Sequence, residues 1–169
     1  MQSRLSHYNE LHAHLVRLLN TDPALAVTQA RQIDLDTPDR LNWLNLRASI
    51  LVDGGAMTQQ QDAIEEGLTL FEELHSLHPT TDITYNLANA LVAAAGHPQG
   101  NTSWLDHQER SREYRAQARR CFWRVGQDVD AKSSLRTQAW TNLANQFSKS
   151  LRLAEAHDAE QQLGRVARG

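Results

Sequence analysis

The residues best equipped for chemistry in this chain are its eight histidines, because imidazole titrates near neutrality and binds metals. A metal centre needs three or four convergent ligands. His12 and His14 stand two residues apart, which on a helix turns them to different faces. His75 and His78 stand three apart with Glu72 and Glu73 nearby, yet no further ligand follows at metal-site spacing. No metal and no cofactor is expected. Arg152 and His157, separated by four residues in Arg-Leu-Ala-Glu-Ala-His, are a second pair whose spacing invites a functional reading. Cys121 is the single cysteine, so an internal disulfide framework and a cysteine-based zinc site are both excluded. Its place among apolar neighbours suits a packing role. Walker motifs, glycine-rich phosphate loops, nucleophile elbows and paired catalytic acids are absent from the sequence. The chain is not expected to be an enzyme.

Any such residues must be held by a scaffold, and the composition says which kind. The 169 residues fit one domain, 1–169. Four prolines and eight glycines are too few for a sandwich or barrel with many turns. Ala, Leu, Gln, Arg and Glu dominate, and they favour helix. A net charge of −3 argues against a protein that coats nucleic acid, although a local basic patch is compatible with it. The start, Met1 to His7, has no apolar run typical of a leader, and no stretch approaches the roughly 20 apolar residues of a membrane span. A cytoplasmic, bacterial protein without membrane contact is the expectation.

Punctuation divides the chain into eight helices. The first covers about 3–20, with Leu5, Tyr8, Leu11, Leu15 and Leu19 at three- and four-residue spacing. Asp22-Pro23 opens the second, which carries Ala26, Ala30 and Ile33, and Thr37-Pro38-Asp39 repeats that start signal for the third. The third is apolar nearly all round (Leu44, Ile50, Leu51, Val52), so it belongs in the middle, and Gly54-Gly55 is expected to end it. Further helices are expected over about 60–77, 81–95, 104–126, 131–148 and 151–165. Short loops between them suggest antiparallel hairpins.

Three segments align with one another. Trp43-Leu44-Asn45-Leu46, Thr84-Tyr85-Asn86-Leu87-Ala88 and Trp140-Thr141-Asn142-Leu143-Ala144 each open a hairpin. The second helices repeat a small residue followed by a larger one four positions later, as in Gly67/Phe71 and Ala118/Phe122. The small residue admits a neighbouring helix and the larger one fills the groove beside it. This pattern resembles the tetratricopeptide repeat (TPR), a helix-turn-helix unit of about 34 residues. Trp140, Asn142, Leu143, Ala144, Phe147 and Ala156 stand where that family places such residues. Arg47 departs from it by replacing a small residue, Leu151 by replacing the turn glycine, and Glu160 by replacing an aromatic. The period is stretched as well, with the excess at the 54–61 turn and in an irregular insertion around 97–111.

The resemblance implies an all-α, right-handed α-solenoid of about four hairpins, serving as a non-catalytic scaffold or adaptor for a partner protein or peptide. Its groove positions would include Asn45, Tyr85, Asn86, Asn89, Asn142, Asn145 and Lys149. Asparagine offers a donor and an acceptor, so these amides either bridge the backbone of a partner peptide or tie neighbouring helices together. Apart from Lys149 the groove carries little charge, which disfavours capture of a terminal carboxylate. A second surface is the arginine-rich sixth helix, where Arg112, Arg115 and Arg119 share a face and Trp123 falls beside them. Trp123 is either a partner hot spot, a base-stacking site or one member of a solvated face. The Arg152–His157 spacing resembles the catalytic motif of HEPN-type RNases. A TPR–HEPN-related RNase, or a regulatory subunit of one, is therefore an alternative reading, as is an RNA-binding helical repeat. The last helix either caps the array through Asp158, Glu160, Gln161 and Gln162 or leaves Leu151, Leu153 and Leu163 for self-association.

Overall fold

The computed structural model describes residues 2–35, 39–97 and 103–146, with side chains from Tyr8 onward. Those residues form seven helices and no strand. They are α1 (Gln2–Thr21), α2 (Pro23–Arg31), α3 (Arg40–Thr58), α4 (Gln61–Leu77), α5 (Thr81–Gly96), α6 (Trp104–Gln127) and α7 (133–146). The chain comprises two compact units, Met1–Cys121 and Phe122–Gly169. The expected helix over 151–165 lies outside the described residues.

In the first unit each of α1 to α5 packs on its sequence neighbour, and α1 and α5 both also reach α3. The α1–α2 corner is fixed by two adjacent residues. Asp22 caps α2 by accepting the Leu25 N–H at 3.0 Å, and Pro23 supplies the first helical turn, where its missing N–H costs nothing. Thr80 opens α5 in the same way, its hydroxyl accepting the Ile83 N–H at 3.3 Å. Ser103 and Asp106 form a reciprocal cap on α6: Asp106 N–H donates to Ser103 Oγ, and the Ser103 hydroxyl donates to Asp106 Oδ2.

α3 is the middle of this unit, with Trp43, Leu44, Leu46, Ala48, Ile50, Leu51 and Val52 all buried. Leu44 and Leu51 are completely inaccessible, and burying each such side chain stabilises the fold by about 1.5–3 kcal/mol. Tyr8 of α1 meets Trp43 edge-on, ring centroids 5.0 Å apart. Gly54-Gly55 does not end α3, contrary to the sequence expectation. The helix continues a full turn to Thr58 and stops at Gln59, the one described non-glycine residue with positive φ (58°). The two glycines instead admit neighbours. A Cβ on Gly54 would stand 2.6 Å from Val27 Cγ2, and one on Gly55 would stand 2.9 Å from Ile64 Cγ1.

Arg47, the misfit of the repeat pattern, has a structural partner. Its guanidinium donates to Glu66 Oε1 of α4 at 2.6 Å, while Arg31 of α2 donates to Glu66 Oε2 at 2.8 Å and to Asp62 Oδ2 at 2.7 Å. One carboxylate thus joins three helices.

The second unit begins in the last turn and a half of α6. There the indole of Trp140, on α7, lies over Gly126, whose absent Cβ would be 2.6–2.9 Å from Cε2, Cδ2 and Nε1. Arg136, one turn earlier on α7, donates from Nε to the Gly126 carbonyl at 3.3 Å and so satisfies a carbonyl the helix end leaves open. Ala139 and Leu143 of α7 are buried. Gly126→Ala is expected to push the indole outward and destabilise the unit by about 1–2 kcal/mol. A red shift of tryptophan emission would report the displacement, and an unchanged spectrum would refute it.

Candidate partner-binding surfaces

The first candidate surface is built by α3 and α5. Their packing brings Asn45 and Asn86, 41 residues apart in sequence, into direct contact: Asn86 Nδ2 donates to Asn45 Oδ1 at 3.1 Å. The Asn45 backbone carbonyl also accepts the Ser49 hydroxyl at 2.8 Å, one turn on. The bond uses one hydrogen of one amide and one lone pair of the other. Asn45 Nδ2 and Asn86 Oδ1 make no further hydrogen bond among the described residues. Tyr85 and Asn89, on the same helix as Asn86, are half-buried. In the second unit, α7 carries Asn142 half-buried and Asn145 exposed. Lys149, Arg152 and His157 lie outside the described residues.

The second candidate surface is on α6. Arg112 is exposed, whereas Arg115 and Arg119 are half-buried. Arg115 Nε donates to Ser111 Oγ at 3.3 Å, and Ser111 donates in turn to the Ala95 carbonyl at 2.8 Å, so Arg115 belongs partly to the joint between α5 and α6. Trp123 stands 56% exposed. Cys121 is half-buried and Phe122, expected at the border of the core face, is fully buried.

A third feature was not evident in the sequence. Gln61 and Glu65 of α4, Ala94 of α5, His97 just after it, and His107, Arg110, Ser111 and Tyr114 of α6 line a small cleft of about 210 Å³ including its open mouth. Glu65 accepts from Gln61 Nε2 at 2.8 Å and from the Tyr114 hydroxyl at 3.5 Å. Burial first, and then the Glu65 charge, hold the Tyr114 hydroxyl above its ordinary pKa; the same two causes raise Glu72. The His97 Nδ1 sits 2.9 Å from the Ala93 carbonyl, an acceptor only, so Nδ1 carries the proton. Gln61 Oε1 is buried and unpaired among the described residues. An orphan acceptor beside a polar void matches a site for ordered water. The Ser111 hydroxyl is committed to a carbonyl, so the cleft holds no serine beside a free base. The three helices that meet here are far apart in sequence, and no local spacing announces the cleft.

Among the described residues no group of three or more His, Cys, Asp or Glu side chains is placed to hold a metal ion. None of the described helices is long and apolar enough to cross a membrane. No protein-family model, curated protein or solved structure matches the chain. The functional reading therefore rests on the residues themselves.

Proposed function

We propose that this chain is a non-catalytic scaffold of stacked TPR-like hairpins, arranged as a right-handed α-solenoid, that holds an extended segment of another protein against the Asn45–Asn86 face. The observation that supports the reading most is the hydrogen bond between those two amides. It fixes their orientation before any partner arrives, which lowers the entropy lost on binding. It also leaves an N–H of Asn45 and the side-chain carbonyl of Asn86 without a hydrogen bond among the described residues, the donor and acceptor types that a peptide backbone requires. Asn89, three residues on, extends the same helix surface by a turn, and Tyr85 lies four residues before Asn89 on its flank.

The triple variant Asn45→Ala/Asn86→Ala/Asn89→Ala tests the proposal. Protein recovered from lysate of the native host by the tagged wild-type chain, and identified by mass spectrometry, should fall at least roughly tenfold with the variant. Circular dichroism checks that the helices persist. Undiminished recovery of the same partner by a folded variant would sink the reading.

A further inference from the structure

Helix α6 is one unbroken helix of 24 residues, and one narrow strip of its solvent face is segregated by charge, with Arg112 just outside it. At about 100° per residue, Glu109, Glu113, Arg120 and Arg124 fall within a strip about 60° wide. All four are exposed. The acids occupy the first half of the strip and the arginines the second. From Tyr114 to Gln127 the helix holds four arginines and no acidic residue. None of the four strip residues forms an ion pair or side-chain hydrogen bond among the described residues. Within the helix each meets its like at four-residue spacing, Glu109 beside Glu113 and Arg120 beside Arg124; the acids have Arg112 and Arg110 three residues away, whereas Arg120 and Arg124 have no acidic residue of the helix within four positions.

We infer that this strip is a self-complementary surface whose occupant is the α6 of a second copy, packed antiparallel. A two-fold axis between residues 116 and 117 places Glu109 opposite Arg124 and Glu113 opposite Arg120 in a single register. The symmetry repeats both pairs, so four opposite-charge pairs form and every like-charge neighbour gains a counterion. The contacting segment, Glu109 to Arg124, runs about 22 Å. At its centre stands Ala116, small enough for the two helix backbones to approach closely. Trp123 lies about 40° beyond the edge of the strip, 56% exposed, and in this register it falls level with the turn around Arg110 of the copy. A large aromatic beside paired charges is a typical anchor of an interface. This surface is independent of the Asn45–Asn86 face.

Sedimentation equilibrium of the full chain at low ionic strength tests the inference. The wild type should be a dimer whose dissociation constant rises with added salt. Glu109→Arg/Glu113→Arg makes the strip wholly positive and Arg120→Glu/Arg124→Glu makes it wholly negative. Each variant alone should dissociate at least about 100-fold more readily. Mixed in equal amounts, the two should form a heterodimer, a rescue that damage to folding cannot imitate. A wild type that stays monomeric at about 100 μM, or charge-reversed variants that dimerise as well as it does, would overturn the inference.

Discussion

Replacing Glu66 by alanine is expected to lower the unfolding free energy of the first unit by about 2–3 kcal/mol. The carboxylate bridges Arg47 and Arg31, whose side chains are 20% and 36% exposed. The loss falls mainly on Arg47, whose Nε is buried and already unpaired, so removing Glu66 leaves a largely desolvated cation with nothing to neutralise it. Arg31 keeps Asp62 and a share of solvent, and it contributes little. Urea unfolding followed by circular dichroism measures the change. A loss below about 0.5 kcal/mol would mean that Arg47 is solvated without its partner.

The same network sets a pH dependence. Burial alone would raise the Glu66 pKa, but the hydrogen bonds from Arg47 and Arg31 and their charges outweigh it, and the net direction is down. Asp62 is lowered as well, first by its hydrogen bond from Arg31. A carboxylate with a depressed folded pKa stabilises the fold fully above its unfolded value, near 4, and loses that contribution as pH falls through the folded value. The gap between wild type and Glu66→Ala should therefore be widest at neutral pH and close below about pH 4.

Gly67→Leu should be costlier still, at about 3 kcal/mol or more. A Cβ at Gly67 would stand 2.7 Å from Val52 Cγ2, 2.9 Å from the Ala48 carbonyl oxygen and 3.1 Å from Leu51 Cβ. The first of these is a side-chain tip that can move; the carbonyl belongs to the backbone of α3 and cannot without disturbing the helix. Gly67→Ala meets the same oxygen, but alanine returns up to about 1 kcal/mol through its helix preference. Its net cost should be near 1 kcal/mol. Thermal melting of both variants gives the comparison. Equal melting temperatures would show that α4 can draw back from α3 freely.

Much of the helical layout was legible because its signals are local. Asp22-Pro23 is a cap and a first turn in two adjacent residues, and the start of α2 follows from them alone. The apolar surround of α3 likewise announced burial. The role of Gly67 was legible too, since a small residue four positions before Phe71 implies close approach. Gly54-Gly55 misled for a physical reason. A glycine ends a helix only where the chain turns left-handed, and here Gln59 takes that conformation while the glycines make room for Val27 and Ile64. Arg47 read as a defect because its partner stands 19 residues away on another helix. For the candidate surfaces, the equivalence of Asn45 and Asn86 was visible in the repeat, but their direct bond was not. Contact between two side chains depends on how α3 and α5 pack. The cleft around Gln61 had no sequence signal, since its lining comes from three helices and becomes a set only when they meet.

The central place of α3 bears on how the first unit opens. Hydrogen exchange proceeds through partial unfolding, and a segment is released early only if little else leans on it. α1 and α5 can each detach from one side, but freeing the amides of α3 means parting it from α1, α2, α4 and α5 together. Deuterium should therefore enter the middle of α3 last, on the timescale of global unfolding. The same dependence implies that excising either flanking hairpin would strip one wall from that helix and leave a fragment with a loosened centre.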